Sequence, residues 1–179
     1  HQTLLQRQKL SRVEHAYVLL CLGLDYKRGG FVDRALDAFS EVLRLDAQNQ
    51  YALENIQRLH EEQHQWTEAY DTRQRLTTLA AIDSRPQSQA IQAFLENEIG
   101  LEALRRKDFP EAVRRFQSAI ELDPRAVPAY LNLGDVRLQQ GKDADAVEIW
   151  NTMVQVAPDR AYLAFGRLEA QAAKANDPG

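Results

Sequence analysis

The sequence predicts an all-α fold, a right-handed superhelical solenoid of helix-turn-helix hairpins, and three observations carry that expectation. Ala, Leu, Gln, Arg and Glu dominate every stretch and all favour helix, whereas there are only 8 Gly and 6 Pro. The aromatic alternation typical of strands is missing. A shift of 34 residues superposes Gly100 on Gly134, Ala112 on Ala146, Phe116 on Trp150 and Pro124 on Pro158.

That period is the tetratricopeptide one, in which small residues sit where two helices touch, a large residue fills the gap beside them, and Pro closes the unit. Counting from Ala93 places the four matches at repeat positions 8, 20, 24 and 32. The register then orders the whole chain. Residues 1–10 read as the tail of a preceding second helix. Residues 11–49 form a first repeat with Leu22, Gly23, Tyr26, Ala35 and Phe39 in place. Residues 50–83 form a degenerate second repeat that keeps Ala69 but carries Gln57 instead of glycine, and its apolar residues Leu53, Ile56, Leu59 and Leu76 are spaced as one helical face.

Residues 84–126 are a third repeat in which the phase slips by nine residues, 84–92. Pro86 can open a helix at its first turn, so the insertion reads as an elongated first helix, Pro86 to Arg106, overhanging by about two turns at ~1.5 Å per residue. Residues 127–160 are a fourth repeat, 161–174 a terminal helix, and 175–179 a frayed tail.

Punctuation agrees with this division. Ser11 and Glu14 have capping-box spacing at the start of the first leading helix. Gly29 with Gly30, and Gly141, fall where the turn inside a hairpin needs positive φ. Asp108 and Asp143 follow such turns, where a carboxylate can accept the orphan amides of the second helix.

Bulk properties exclude several classes of function. A net charge of −4 and pI near 5.6 oppose nucleic-acid binding, which needs a concentrated basic face. The densest cationic group, Arg105, Arg106, Lys107, Arg114 and Arg115, is interleaved with Asp108, Glu111 and Glu121. The longest apolar run, Ala16 to Leu24, falls far short of the ~20 residues a bilayer crossing needs, so no direct membrane insertion is expected of this fragment. Cys21 is the single cysteine, which rules out an internal disulfide or thiolate cluster and fits a cytoplasmic setting. The chain opens on His1 in mid-helix by its pattern, as a fragment would.

One motif imitates an enzyme. His60-Glu61-Glu62-Gln63-His64 satisfies H-E-x-x-H, in which two His one helical turn apart hold zinc and Glu acts as base. The register opposes that reading, because His60 takes inward position 11 while His64 takes position 15, in the turn. No downstream ligand completes the site. Cys21 and His15 lie on nearly opposite faces of their helix, and no phosphate-binding glycine loop occurs. Trp150 replaces the core residue Phe116, and Trp66 covers a hairpin turn. No catalytic residue, metal or cofactor is expected.

Stacked hairpins create a concave groove lined by the first helix of each repeat, and function is expected there. Positions 2, 5, 9, 12 and 13 face away from the packed positions. They supply Tyr17, Lys27 and Arg28, then Tyr51, Glu54 and Arg58, then Phe94, Asn97 and Arg105, and finally Leu131 and Asp135. Position 6 adds Asn55 and Asn132, whose carboxamides can donate to and accept from a peptide backbone. Aromatic, Arg and Asn side chains suit a protein or peptide partner. The Lys and Asn clamp for a C-terminal carboxylate is not reproduced, since Leu20 and Leu24 stand where it would begin.

The opening His1-Gln-Thr-Leu-Leu, the stretch Leu22 to Phe39 (LGLDYKRGGFVDRALDAF), the segment Tyr51 to Leu76 and the long helix before Gly100 resemble the middle repeats of the lipopolysaccharide assembly protein B family. The resemblance implies a cytoplasmic scaffold, tethered to the bacterial inner membrane by an N-terminal helix. It implies a link between a membrane protease, FtsH, and the deacetylase that commits precursors to lipid A. That family's membrane helix and its rubredoxin-like domain with paired Cys-x-x-Cys motifs would lie outside this fragment. A generic bacterial adaptor of the same repeat type, or a homo-oligomerising module, is the alternative.

Overall fold

The computed structural model describes residues 10–80 and 86–176, and within them the chain forms nine α-helices, one 3-10 turn and no strand. It divides into two compact units, His1–Asp83 and Ser84–Gly179. In the first, α1 (Arg12–Arg28) pairs with α2 (Val32–Leu45), and α3 (Gln50–Glu62) with α4 (Trp66–Ala80). In the second, α5 (Pro86–Arg105) pairs with α6 (Phe109–Leu122), and α7 (Val127–Gln139) with α8 (Asp143–Val156). A 3-10 turn at Pro158–Arg160 then leads into α9 (Tyr162–Asn176), which packs on α8.

The 34-residue period has a steric cause. A Cβ built on Gly23 would stand 2.7 Å from the Phe39 ring, one on Gly100 2.6 Å from Phe116, and one on Gly134 2.1 Å from Trp150 Nε1. Each glycine lets an aromatic ring of the second helix lie against the backbone of the first, and all three rings are fully buried. Ala35, Ala112 and Ala146, at 0% exposure, mark the second close approach in the same hairpins. The degenerate hairpin has Gln57 and Arg73 at the glycine and ring positions. Its core rests instead on Ala52, Leu53, Leu59 and Ala69, and the buried Gln57 amide donates to Glu61 at 2.8 Å.

The hairpin turns share one left-handed position, occupied by Gly30 (φ 75), His64 (φ 56), Lys107 (φ 61) and Gly141 (φ 72). Gly29 does not share it. At φ −78 it caps α1 in the right-handed region, so its expected positive φ is corrected: one left-handed residue reverses the chain and Gly30 supplies it.

Ser11 and Glu14 form the expected capping box, with the Ser11 amide donating to Glu14 at 2.8 Å and the Glu14 amide to Ser11 Oγ at 3.3 Å. Asp108 caps α6 by accepting the Glu111 amide at 3.2 Å. Asp143 does not cap α8. It is the first helical residue, Lys142 takes the cap position with no side-chain bond, and the Asp143 carboxylate pairs with Lys174 of α9.

α5 opens at Pro86 and runs for 20 residues, against 13 in α3 and 13 in α7. α9 continues two residues past its expected end at Lys174. The expectations for residues 1–9, for Ser84 and Arg85, and for 177–179 lie outside the described residues.

Candidate functional site

The leading helices turn one side into the cores and leave the other open, and the expected groove residues divide accordingly. Tyr17, Tyr51 and Phe94, all at repeat position 2, are 66%, 49% and 50% exposed. Arg28, Glu54, Arg58 and Arg105 are exposed as well. Lys27 is partly buried and reaches Glu62 at 3.9 Å, joining α1 to α3. Asn55 and Asn97 are buried. The Asn55 amide donates to the Tyr51 carbonyl at 2.9 Å, one turn back on its own helix.

In the second unit the face is tied from helix to helix. Asn132 Nδ2 of α7 donates to Asn97 Oδ1 of α5 at 2.8 Å, and Asn97 Nδ2 donates to Glu98 at 3.1 Å. Arg167 of α9 donates through Nε and Nη2 to the two oxygens of Asp135, each at 2.7 Å. These bonds outweigh desolvation and hold the guanidinium above its ordinary pKa. Leu131, Asn132 and Asp135 are half-buried along this row. Between α5 and α6, Arg115 bridges the buried Glu96 at 3.0 Å and Glu111 at 2.7 Å. The hydrogen bond from Arg115 is the main reason Glu111 is held below the usual carboxylate range.

A cleft opens beside one leading helix in each unit. The first, about 580 Å³, lies between Val13, Ala16, Tyr17 and Leu20 of α1 and the loop residues Asp46 and Asn49. The second, about 400 Å³, lies between Ala90, Ala93, Phe94 and Asn97 of α5 and a rim including Asp123, Arg125 and Arg160. Both fall in the size range of ligand pockets. Sequence reasoning placed Tyr17, Phe94 and Asn97 on the face but did not foresee the clefts, which depend on how the loops after α2 and α6 fold back. It also missed Tyr162 and Phe165, which α9 leaves 65% and 50% exposed. Extending the register by another 34 residues from Val127 would have put Tyr162 at position 2, beside Tyr17, Tyr51 and Phe94.

The two imidazoles of the H-E-x-x-H match leave from different elements. His60, on α3, has Nδ1 2.7 Å from Gln65 Oε1. His64 lies past the end of the helix at φ 56, its ring edge-on to Trp66 with centroids 5.3 Å apart. Trp66 is buried at the start of α4, against the turn. Among the described residues no helix is long and apolar enough to cross a membrane.

The tetratricopeptide repeat family matches residues 97–162. Lipopolysaccharide assembly protein B of Escherichia coli strain K12 is 25% identical over 148 residues, covering 83% of this chain and 37% of that protein. Superkiller protein 3 of Schizosaccharomyces pombe is 24% identical over 144 residues, covering 80% of this chain and 10% of that protein. The chain therefore spans little more than a third of the length of the first relative. Among solved structures, a MamA protein is similar at a TM-score of 0.52 and 18% identity, with 89% of this chain and 87% of that one covered. At that identity the likeness shows the fold, and the fold is the one the hairpin geometry gives.

Proposed function

We propose that this chain, a tetratricopeptide-repeat protein, is a protein-interaction scaffold that holds a partner segment on the open face of its leading helices and catalyses no reaction of its own. The observation that carries this reading is the partition of aromatic residues. Phe39, Phe116 and Trp150 of the second helices are fully buried, while Tyr17, Tyr51 and Phe94 of the leading helices are exposed at one repeat position. Exposed aromatic rings and arginines are the residue types in which hot spots of protein interfaces are enriched. Charge reversal tests it: Arg58→Glu or Arg105→Glu weakens binding of a segment selected against the chain, without lowering stability by more than ~0.5 kcal/mol, as is usual for exposed sites. Binding unchanged by either reversal removes the face from consideration.

The finer reading is a part in lipopolysaccharide assembly, as the name of the E. coli relative states for that protein, with the whole protein cytoplasmic and tethered to the inner membrane. Its support is the identity that extends over 83% of this chain. Replacing the matching region of the E. coli protein by this chain tests it. A folded chimera that restores the function of the E. coli protein supports the role, and a folded chimera that does not restore it leaves a generic adaptor. Self-association is the competing use of the same fold, favoured by the exposed Tyr162, Leu163 and Phe165 of α9. A mass in light scattering that rises with concentration would support it.

A further inference from the structure

The two clefts share part of their lining in repeat register, although Arg125, Asp159 and Arg160 rim only the second. A shift of 77 residues carries Val13 onto Ala90, Ala16 onto Ala93, Tyr17 onto Phe94 and Asp46 onto Asp123. The same shift carries Arg28 onto Arg105, the last residues of α1 and α5. Each of these two helices thus presents an exposed ring beside a cleft in its N-terminal half and an exposed arginine at its C-terminal end. Ring and arginine are eleven residues apart in both cases, three helical turns, which places them within ~20° of one face and ~16 Å apart along the axis. Helix-dipole stabilisation explains a cation at a helix C-terminus. It explains neither the repeated spacing nor the shared face with a cleft.

Resting on the scaffold reading, the geometry points to a two-point reader in each unit: the cleft takes one apolar side chain of a partner segment, and Arg28 or Arg105 takes a carboxylate of the same segment. Charge complementarity selects an acidic partner, because Arg28 and Arg105 are both exposed and neither is in an ion pair among the described residues. An extended chain rises ~3.3 Å per residue and covers ~16 Å in about five residues. A helix lying alongside would need eleven, and ordering each residue costs backbone entropy, so the extended form binds with the smaller loss. The occupant is therefore an extended acidic segment with an apolar residue and a Glu or Asp about five positions apart.

Fluorescence anisotropy with the full chain and labelled synthetic peptides tests this. One peptide carries Leu and Glu five residues apart in a polar, uncharged background. The second has the same composition with Leu and Glu adjacent, the third has Lys for Glu, and the fourth is a helix-forming peptide with the pair eleven apart. The first is expected to bind about ten-fold more tightly than the other three, and to lose about ten-fold on the double change Arg28→Glu with Arg105→Glu. Tyr17→Ser with Phe94→Ser should weaken it comparably, with helical content unchanged in circular dichroism. Equal binding of the four peptides, preference for the helical one, or indifference to both double variants overturns the proposal. If segments of other chemistry, selected from a random library, bind the leading-helix face while the first peptide does not, the reader fails and the scaffold stands. If nothing selected binds that face, both fail.

Discussion

The indole of Trp150 lies in space that exists only because residue 134 is glycine: a Cβ there would meet Nε1 at 2.1 Å and Cε2 at 2.6 Å. The same nitrogen points at the Leu131 carbonyl 3.4 Å away. Gly134→Ala is therefore expected to destabilise the chain by ~1–2 kcal/mol, because a Cβ this close puts overpacking in the upper part of its ~1–3 kcal/mol range, less the ~1 kcal/mol alanine gains in a helix. Gly166→Ala, on α9 with nothing within 4 Å of the added carbon, is expected to stabilise by ~0.5–1 kcal/mol. Urea unfolding of the two variants checks both signs together.

The left-handed turn residues give a second contrast. Lys107, at φ 61, carries a strain of ~1–2 kcal/mol that glycine would relieve, less the extra entropy glycine has when unfolded. Lys107→Gly should stabilise by ~0.5–1 kcal/mol. His64→Gly relieves the same strain at φ 56 but gives up the edge-on contact with Trp66, worth ~0.5–1.5 kcal/mol, so its net effect is expected to be about zero. Thermal denaturation of the pair should rank Lys107→Gly above His64→Gly.

Acid should loosen two helix starts. Hydrogen bonds from Ser11 hold the Glu14 carboxyl below its ordinary value of 4.5, and Arg115 does the same for Glu111. A carboxylate whose pKa is depressed by folding contributes stability that is present above the unfolded value and is lost as pH falls through the folded one. Glu111→Gln is expected to lower stability at neutral pH and to flatten its decline below about pH 4.5. A decline of unchanged steepness in urea titrations would count against the assignment.

The last helix is held by little apolar surface. Ala164 is its one fully buried hydrophobic residue, while Arg167 to Asp135 and Lys174 to Asp143 are ion pairs with partly exposed partners. Exposed pairs contribute ~0–1 kcal/mol and are screened by salt. Amide exchange in α9 is expected to quicken with added salt and in Asp135→Asn, while α7 and α8 stay protected. Equal protection in all three helices would mean that packing, not charge, holds α9.

Much of the fold was legible because its period is steric: wherever Gly and an aromatic ring recur sixteen residues apart, as in Gly100 and Phe116, the chain must bring two helices together. The turn at His64 was legible by register alone, and that register separated the two imidazoles of the H-E-x-x-H match. Gly29 and Asp143 were misread because each stands one residue from the position assigned to it, the left-handed one at Gly30 and the cap at Lys142, and periodicity does not resolve adjacent positions at a turn. The candidate face was legible at position 2, where Tyr17, Tyr51 and Phe94 stay about half-exposed or more. Register placed Asn97 and Asp135 on the face too, but it does not reveal that Asn132 and Arg167, 35 and 32 residues further on, bond them. Those pairings come from tertiary packing, as do the clefts beside Tyr17 and Phe94.

Chemical-shift mapping of the isotopically labelled chain, with a segment selected for binding to it, tests the central claim most directly. The account predicts perturbations concentrated on the leading helices, at Tyr17, Arg28, Tyr51, Arg58, Phe94 and Arg105, with α2 and α6 unmoved. Perturbations concentrated on the outer surfaces of α2 and α6, with the leading helices unchanged, would contradict it.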